Sequence, residues 1–407
     1  MNHIDEHANE PTSGRKFWQP PSLHSGDEQR GVGWIDLFFD LFFVVVIAEI
    51  AHHLTAHPGV EGVRTFLFLF IPVWWVWIGD TYYGERFETE GIESRLYLYA
   101  LMLPVIGMAV YAHDGLGATY AGFALSYAVA RGVITFMWGW ASVTSPRFRP
   151  TGRWYVGVFS LAVGLVVASV FVPPPLNLIL FGVALALDLL APLVTIPLQA
   201  ELPAYSTARL PTRFGLFTIV VLGETVVGVV NGLAEREGFG ADLFADAALG
   251  VALGLGLWWL YFDFVGRRRP RQGAWTFLWS YLHLPFVIAV TAVGAGITNV
   301  IAADGVLSGE VQRLIGGSIG VALITLALLE QTLVRTESEP AHPTISPLLK
   351  VASGLLAFAV GFALPGLSPV LFLLLLVALL LVNMVYGLWV WFALGGEAEA
   401  AEVAIGD

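Results

Sequence analysis

Apolar stretches of 18 to 25 residues recur along most of this 407-residue chain, and that repetition restricts its fold more than any other feature. Lipid offers the backbone no hydrogen bonds, so only helices and closed barrels cross it. A crossing helix needs about 20 mostly apolar residues, a barrel strand about ten. Runs of the observed length are therefore helices. Charged residues make up 13% of the chain and hydrophobic ones 57%, with a mean hydropathy of +0.73. A soluble domain carries about 25% charged residues. The chain reads as an all-α polytopic membrane protein whose main partner is the lipid bilayer.

Twelve spans are expected, near 33–54, 63–83, 94–112, 118–141, 153–172, 176–197, 212–233, 244–266, 278–303, 311–331, 346–364 and 369–394. The breaks fall at turn chemistry: His57-Pro58-Gly59, Asp114-Gly115, Pro173-Pro174-Pro175 and Pro365-Gly366. Residues 1–32 are polar and mixed in charge, without the apolar core of a signal peptide, and are expected as a disordered cytoplasmic tail. Residues 395–407 are expected as an acidic cytoplasmic tail. Of the 20 Lys and Arg residues, 16 fall at the end of the spans shared with both termini, and the opposite loops hold only Arg64, Arg236 and Arg313. The excess of positive charge predicts that both termini are cytoplasmic, in a bacterial inner membrane. The chain has no cysteine, which excludes disulfides, thiolate metal sites and thiol catalysis. The net charge of −12 comes with no basic, aromatic-interleaved patch, so nucleic acid is not a partner. No nucleotide or cofactor motif is present, and no cofactor is implied.

The two halves resemble each other. FDLFFVVVIAEIA (39–51) aligns without gaps on FGLFTIVVLGETV (214–226), at an offset of 175. This sets Phe39 over Phe214, Phe42 over Phe217 and Glu49 over Glu224. WWVWIGD (74–80) matches WWLYFD (258–263) with one gap, and MLPVI (102–106) matches HLPFVI (283–288). These matches predict two six-helix repeats, 33–197 and 212–394, joined by a linker loop at 198–211. Six is even, so the repeats insert the same way up and are related by a pseudo-twofold along the membrane normal.

Charge at bilayer depth costs about 2.5–3.5 kcal/mol on insertion scales and normally faces protein or water. The candidates are Glu49, Glu224, Asp40, Asp36, Arg131, Asp188, Asp80 and Asp263. Asp36 and Asp40, four apart, share one face of the first helix. Glu49 lies about 180° away from Asp40, so the first helix is expected at the centre of the bundle, wrapped by protein on both faces. Glu49 and Glu224, paired by the pseudo-twofold, read either as a proton- or cation-binding pair or as hydrogen-bonded acids that tie helices together. Arg131 is expected to pair with Asp188 or Asp40, and Asp80 and Asp263 to sit near water at helix ends. Glu49-x-x-His52, with His53 beside it, has the spacing of di-metal carboxylate sites. Glu224-Thr-Val-Val lacks the second histidine, so no metal site is assigned.

WIDLFFDLFFVVVIAEIAHHL and RFGLFTIVVLGETVVGVVNGL, with WWLYFDF after the second, resemble the bacterial low temperature requirement A (LtrA) family. The resemblance runs from about residue 30 and implies a polytopic inner-membrane protein. It brings no catalytic residues. A shorter motif, Arg30-x-x-x-Trp34-Ile35-Asp36, is similar to the Arg-x-x-x-Phe-Ser-Asp opening of two-repeat potassium channels, with Trp and Ile in place of Phe and Ser. The functional expectation is a channel or secondary transporter of a small ion or metabolite. A membrane-embedded enzyme using the same acids, or a stress-related scaffold without a solute, are the alternatives.

Overall fold

The computed structural model describes residues 18–24, 31–88, 91–236, 240–335 and 342–405, with side chains as far as Phe392. Arg30 and much of the expected N-terminal tail lie outside these residues. Among the described residues the regular structure is helical apart from a two-stranded pairing of β1 (Ser22–Leu23) with β2 (Phe87–Glu88) and an isolated bridge between Pro270 and Leu333. That pairing, and the Trp18 ring 5.6 Å from Trp140, anchor part of the stretch expected as a disordered tail.

The helices are α1 (Trp34–Ala56), α2 (Val60–Arg86), α3 (Ile92–Ala112), α4 (Tyr120–Thr144), α5 (Arg149–Ser169), α6 (Leu176–Val194) and a single turn, α7 (Ile196–Gln199). They continue as α8 (Arg209–Glu235), α9 (Ala241–Tyr261) with a π-turn over Phe262–Gly266, α10 (Ala274–Ala302), α11 (Gly309–Gln331), α12 (Ile345–Ala363) and α13 (Pro369–Ile405). Each expected span has its helix. Among the described residues, eleven helices are long and apolar enough to cross a membrane. The remaining long one, α1, carries Asp36, Asp40 and Glu49 within 23 residues. Helix α13 runs past the expected end at 394.

Local chemistry sets the ends. The Asp36 carboxylate accepts the Gly33 N–H at 3.2 Å and caps α1. Asp114 accepts the Ala118 N–H at 2.7 Å in the turn before α4. Gly366, at φ +81°, reverses the chain between α12 and α13.

In the first half α1 packs on α2 and α3, α3 on α4, α4 on α5 and α5 on α6; in the second, α8 packs on α9 and α10, α10 on α11, α11 on α12 and α12 on α13. The second helices differ, since α2 lies against α4 whereas α9 lies against α13. Helix α10 is the most enclosed, and it also touches α1. Its crossing with α8 is backbone on backbone. A Cβ on Gly228 would sit 2.2 Å from the Gly294 carbonyl oxygen, and one on Gly294 would sit 2.6 Å from the Glu224 backbone. Small residues allow this close approach in lipid, where packing rather than water exclusion drives association.

Helix α1 is not wrapped on both faces. Trp34 (89% exposed), Phe38, Leu41 and Val45 (56%) form an outward stripe that continues into Glu49 and His52, which are also exposed. The expectation of a fully enclosed first helix assumed that Glu49 needs protein around it. A cavity at that end of the helix serves instead, and α10 takes the central place.

Candidate functional site

The two halves meet along α1 and α8, which carry matching ladders of charge. Asp36 and Asp40 project from one face of α1, and Arg209 and Arg213, also four apart, project from α8. Arg209 Nη2 donates to Asp36 Oδ2 at 3.1 Å, and Arg213 Nη1 to Asp40 Oδ2 at 3.2 Å. Both rungs span 173 residues, as two helices in register require. Arg213 is 3% exposed and Asp40 2%, so the second rung lies inside the protein. The same guanidinium reaches Asp80 of α2 at 3.4 Å, and the Trp77 indole donates to the other Asp40 oxygen at 3.0 Å. One arginine thus bridges two buried aspartates. Sequence reasoning missed Arg209 and Arg213 by assigning both to the helix ends and counting them as loop charge. Their four-residue spacing, opposite two aspartates at the same spacing, was the available signal.

Above this rung lies an aromatic layer. The Trp77 ring is 4.2 Å from Phe217 and 5.1 Å from Phe214, and Phe43 is 6.4 Å from Phe217. All four are buried, and so are Val46 and Ile47 on α1 and Val221 on α8. His283 lies buried 4.7 Å from Phe214 and is hydrogen-bonded to the Tyr261 hydroxyl and the Trp279 carbonyl.

Beyond the aromatic layer a cavity of about 480 Å³ opens between α1, α8 and α10. Glu49 and Glu224 both line it, with His52, Thr55, Asn231 and Thr298. Glu224 is 5% exposed, whereas Glu49 stands exposed. The cavity wall is held by Thr55 Oγ1, which donates to the Ala295 carbonyl at 3.1 Å, and by Asn299, which donates to the Thr55 carbonyl at 2.9 Å. On the other side of the aromatic layer a second cavity, of about 210 Å³, is lined by Asp36, Asp80, Thr81, Glu85, Arg209 and Arg213. Asp40 and Glu49 are nine residues apart on α1, so about 14 Å of helix separates the charged rung from the first cavity.

The remaining sequence candidates lie elsewhere. Arg131 grips Asp188 through two bonds, 3.0 and 2.9 Å, and Tyr127 donates to the same carboxylate at 2.7 Å. With all these groups buried and the guanidinium 4.5 Å from the Phe159 ring, this pair ties α4 to α6. Asp263 does not repeat Asp80: it lies in the π-turn at 262–266, exposed and 3.8 Å from Arg267. The tryptophan pairs differ likewise, with Trp74 and Trp75 buried and Trp258 exposed. Among the described residues no group of three or more His, Asp or Glu side chains is placed to hold a metal ion. His53 stacks on His57, apart from any carboxylate cluster. The sequence reading also passed over a buried pair, Lys350 Nζ to Glu330 Oε2 at 3.1 Å, in which the ammonium sits 3.5 Å from the Phe264 ring.

The family model described as bacterial low temperature requirement A protein (LtrA) matches residues 31–389, spanning every element of the site. An uncharacterized protein of Rhizobium meliloti, RA0937, is 29% identical over 294 residues, covering 66% of this chain and 69% of its own length.

Proposed function

The chain belongs to the bacterial LtrA family, and from that premise we propose that it is a channel or secondary transporter of a small ion or metabolite, with Glu49 and Glu224 as its proton- or cation-binding acids. The observation that carries this reading is the single cavity that both glutamates line, one from each half. A scaffold without a solute has no use for a polar cavity at bilayer depth, where each carboxylate is costly. The second cavity, behind the Asp40–Arg213–Asp80 bridge, supplies a matching opening on the other side. Together they outline a pathway along α1 and α8, closed in the middle.

Three further readings accompany the proposal. The halves are parallel repeats, which the shared order of helix neighbours supports. Both termini lie in the cytoplasm, so the glutamate cavity opens outward. The membrane is the bacterial inner membrane.

Reconstitution into liposomes tests the central claim. Flux of protons and common cations is compared for the wild type, Glu49→Gln and Glu224→Gln. Glu224→Gln, which neutralises the buried acid, is expected to reduce flux most. Equal flux in all three folded proteins removes both acids from any transport mechanism.

A further inference from the structure

A third open space lies off the α1–α8 seam. It has a volume of about 1460 Å³ and lies over α4, between α3 and α5. Its long walls are apolar and lipid-facing, with Leu96, Val129, Phe136 and Val143 at the rim. Gly132 leaves its floor open, since a Cβ there would meet nothing within 4 Å. The cavity reaches the first turn of α3 and the first turns of α5, so one end lies at the membrane surface nearest the N-terminal end of α1. Polar groups gather at that end: Glu93, Tyr97 and the exposed Arg153.

Two of these polar groups are incompletely used. Glu93 is 3% exposed; one carboxylate oxygen accepts the Gln19 N–H at 3.2 Å, and the other, buried, has no hydrogen-bond partner. The Tyr97 hydroxyl, also buried, has none. Buried polar atoms are normally satisfied, and each exception needs a reason. Here the reason is positional. Glu93, Tyr97, Met137 and Trp140 line both this groove and the 210 Å³ polar cavity on the α1–α8 seam. They form the partition between a lipid-facing groove and a charged interior.

We propose that this groove is a binding site for a phospholipid with a primary-ammonium headgroup, drawn from the leaflet nearest the N-terminal end of α1. Its acyl chain fills the groove over Gly132. Its ammonium donates to the unpartnered Glu93 oxygen, with Tyr97 beside it, and its phosphate meets Arg153. The charges match in sign and order: a buried anion at the partition and an exposed cation at the mouth. A quaternary choline head has the charge but no N–H to give, so it leaves the Glu93 oxygen unpaired. This site is separate from the glutamate cavity and does not depend on what crosses the membrane there.

The test uses the full chain, purified in detergent and stripped of lipid. Native mass spectrometry measures retention of phosphatidylethanolamine, phosphatidylcholine and phosphatidylglycerol of identical acyl composition. The wild type is expected to hold the ethanolamine lipid about tenfold more tightly than the choline lipid, the difference one charge-assisted hydrogen bond makes. Glu93→Gln should erase that preference, and Arg153→Gln should weaken all three lipids alike. Gly132→Leu, which has space for its side chain, should block all three without unfolding the protein. Equal retention of ethanolamine and choline lipids by the wild type overturns the proposal, as does a preference that survives Glu93→Gln, or lipid retention unchanged by Gly132→Leu.

Discussion

Replacing Arg213 with glutamine tests whether the centre of the α1–α8 seam is an electrostatic bridge. The guanidinium serves Asp40 at 3.2 Å and Asp80 at 3.4 Å while only 3% exposed, so bulk salt screens it little. Removing one partner of a buried ion pair costs about 3–5 kcal/mol, because an uncompensated charge stays behind. The lower end applies here. Asp40 keeps its 3.0 Å bond from Trp77, and Asp80 borders the 210 Å³ cavity, where water can reach it. The expected loss is therefore about 3 kcal/mol. The assay is reversible unfolding in mixed micelles, run as a double-mutant cycle with Asp40→Asn. If the two groups are coupled as the distances imply, the double variant should recover about 1–3 kcal/mol relative to the sum of the singles. Arg213→Gln within about 0.5 kcal/mol of wild type, or strictly additive single changes, would refute the reasoning.

Lys350→Met should cost about 3 kcal/mol by leaving the buried Glu330 carboxylate only the Ser346 hydroxyl at 2.9 Å and Arg268 at 3.8 Å, and adding Glu330→Gln should restore most of it, as unfolding in the same micelles would report. Gly228→Leu should separate α8 from α10, since even a Cβ there lies 2.2 Å from the Gly294 carbonyl oxygen; the expected loss is at least about 1–3 kcal/mol by the same measurement. The chain has no cysteine, so single cysteines report sidedness cleanly. Arg147→Cys and Arg267→Cys should react with an impermeant maleimide only after cells are opened, and Asp304→Cys should react in intact cells.

Hydropathy made the helices legible because twenty apolar residues in a row leave the chain no other way to satisfy its backbone. The candidate acids were legible for the same reason, each being expensive where it stands. Arg131 could be matched by depth to Asp188, but the other pairings could not be read. Arg213 looked like a loop charge because a helix's first turns and the loop before it have similar composition. Asp263 looked equivalent to Asp80, but WWLYFD is one residue shorter than WWVWIGD, and Asp263 stands exposed in a π-turn. Lys350 and Glu330 sit near span ends, where charge is common, and nothing in their spacing marks them as partners. The exposure of α1 escaped for a different reason. An apolar stripe facing lipid and one facing protein are identical in sequence, because lipid tails are as apolar as leucine.

The seam also says where a pathway along α1 and α8 would have to open. Between Asp40 and Glu49, about 14 Å of helix presents Phe43, Val46 and Ile47 against Phe217, Val221 and Trp77, all buried. An apolar constriction of this kind excludes ions by staying dry, without needing to be sterically sealed at every point. Wetting it should matter more than shrinking it. Phe217 is the place to ask, because its ring touches both Trp77 and Phe43. Phe217→Leu and Phe217→Ser both remove the ring, but only serine lowers the cost of water there. In liposomes, Phe217→Ser is expected to leak protons or cations at least about tenfold faster than Phe217→Leu, which corresponds to about 1.4 kcal/mol off the barrier. If the two variants, both folded, leak equally or not at all, the aromatic layer is core packing, and the route between the two cavities lies elsewhere.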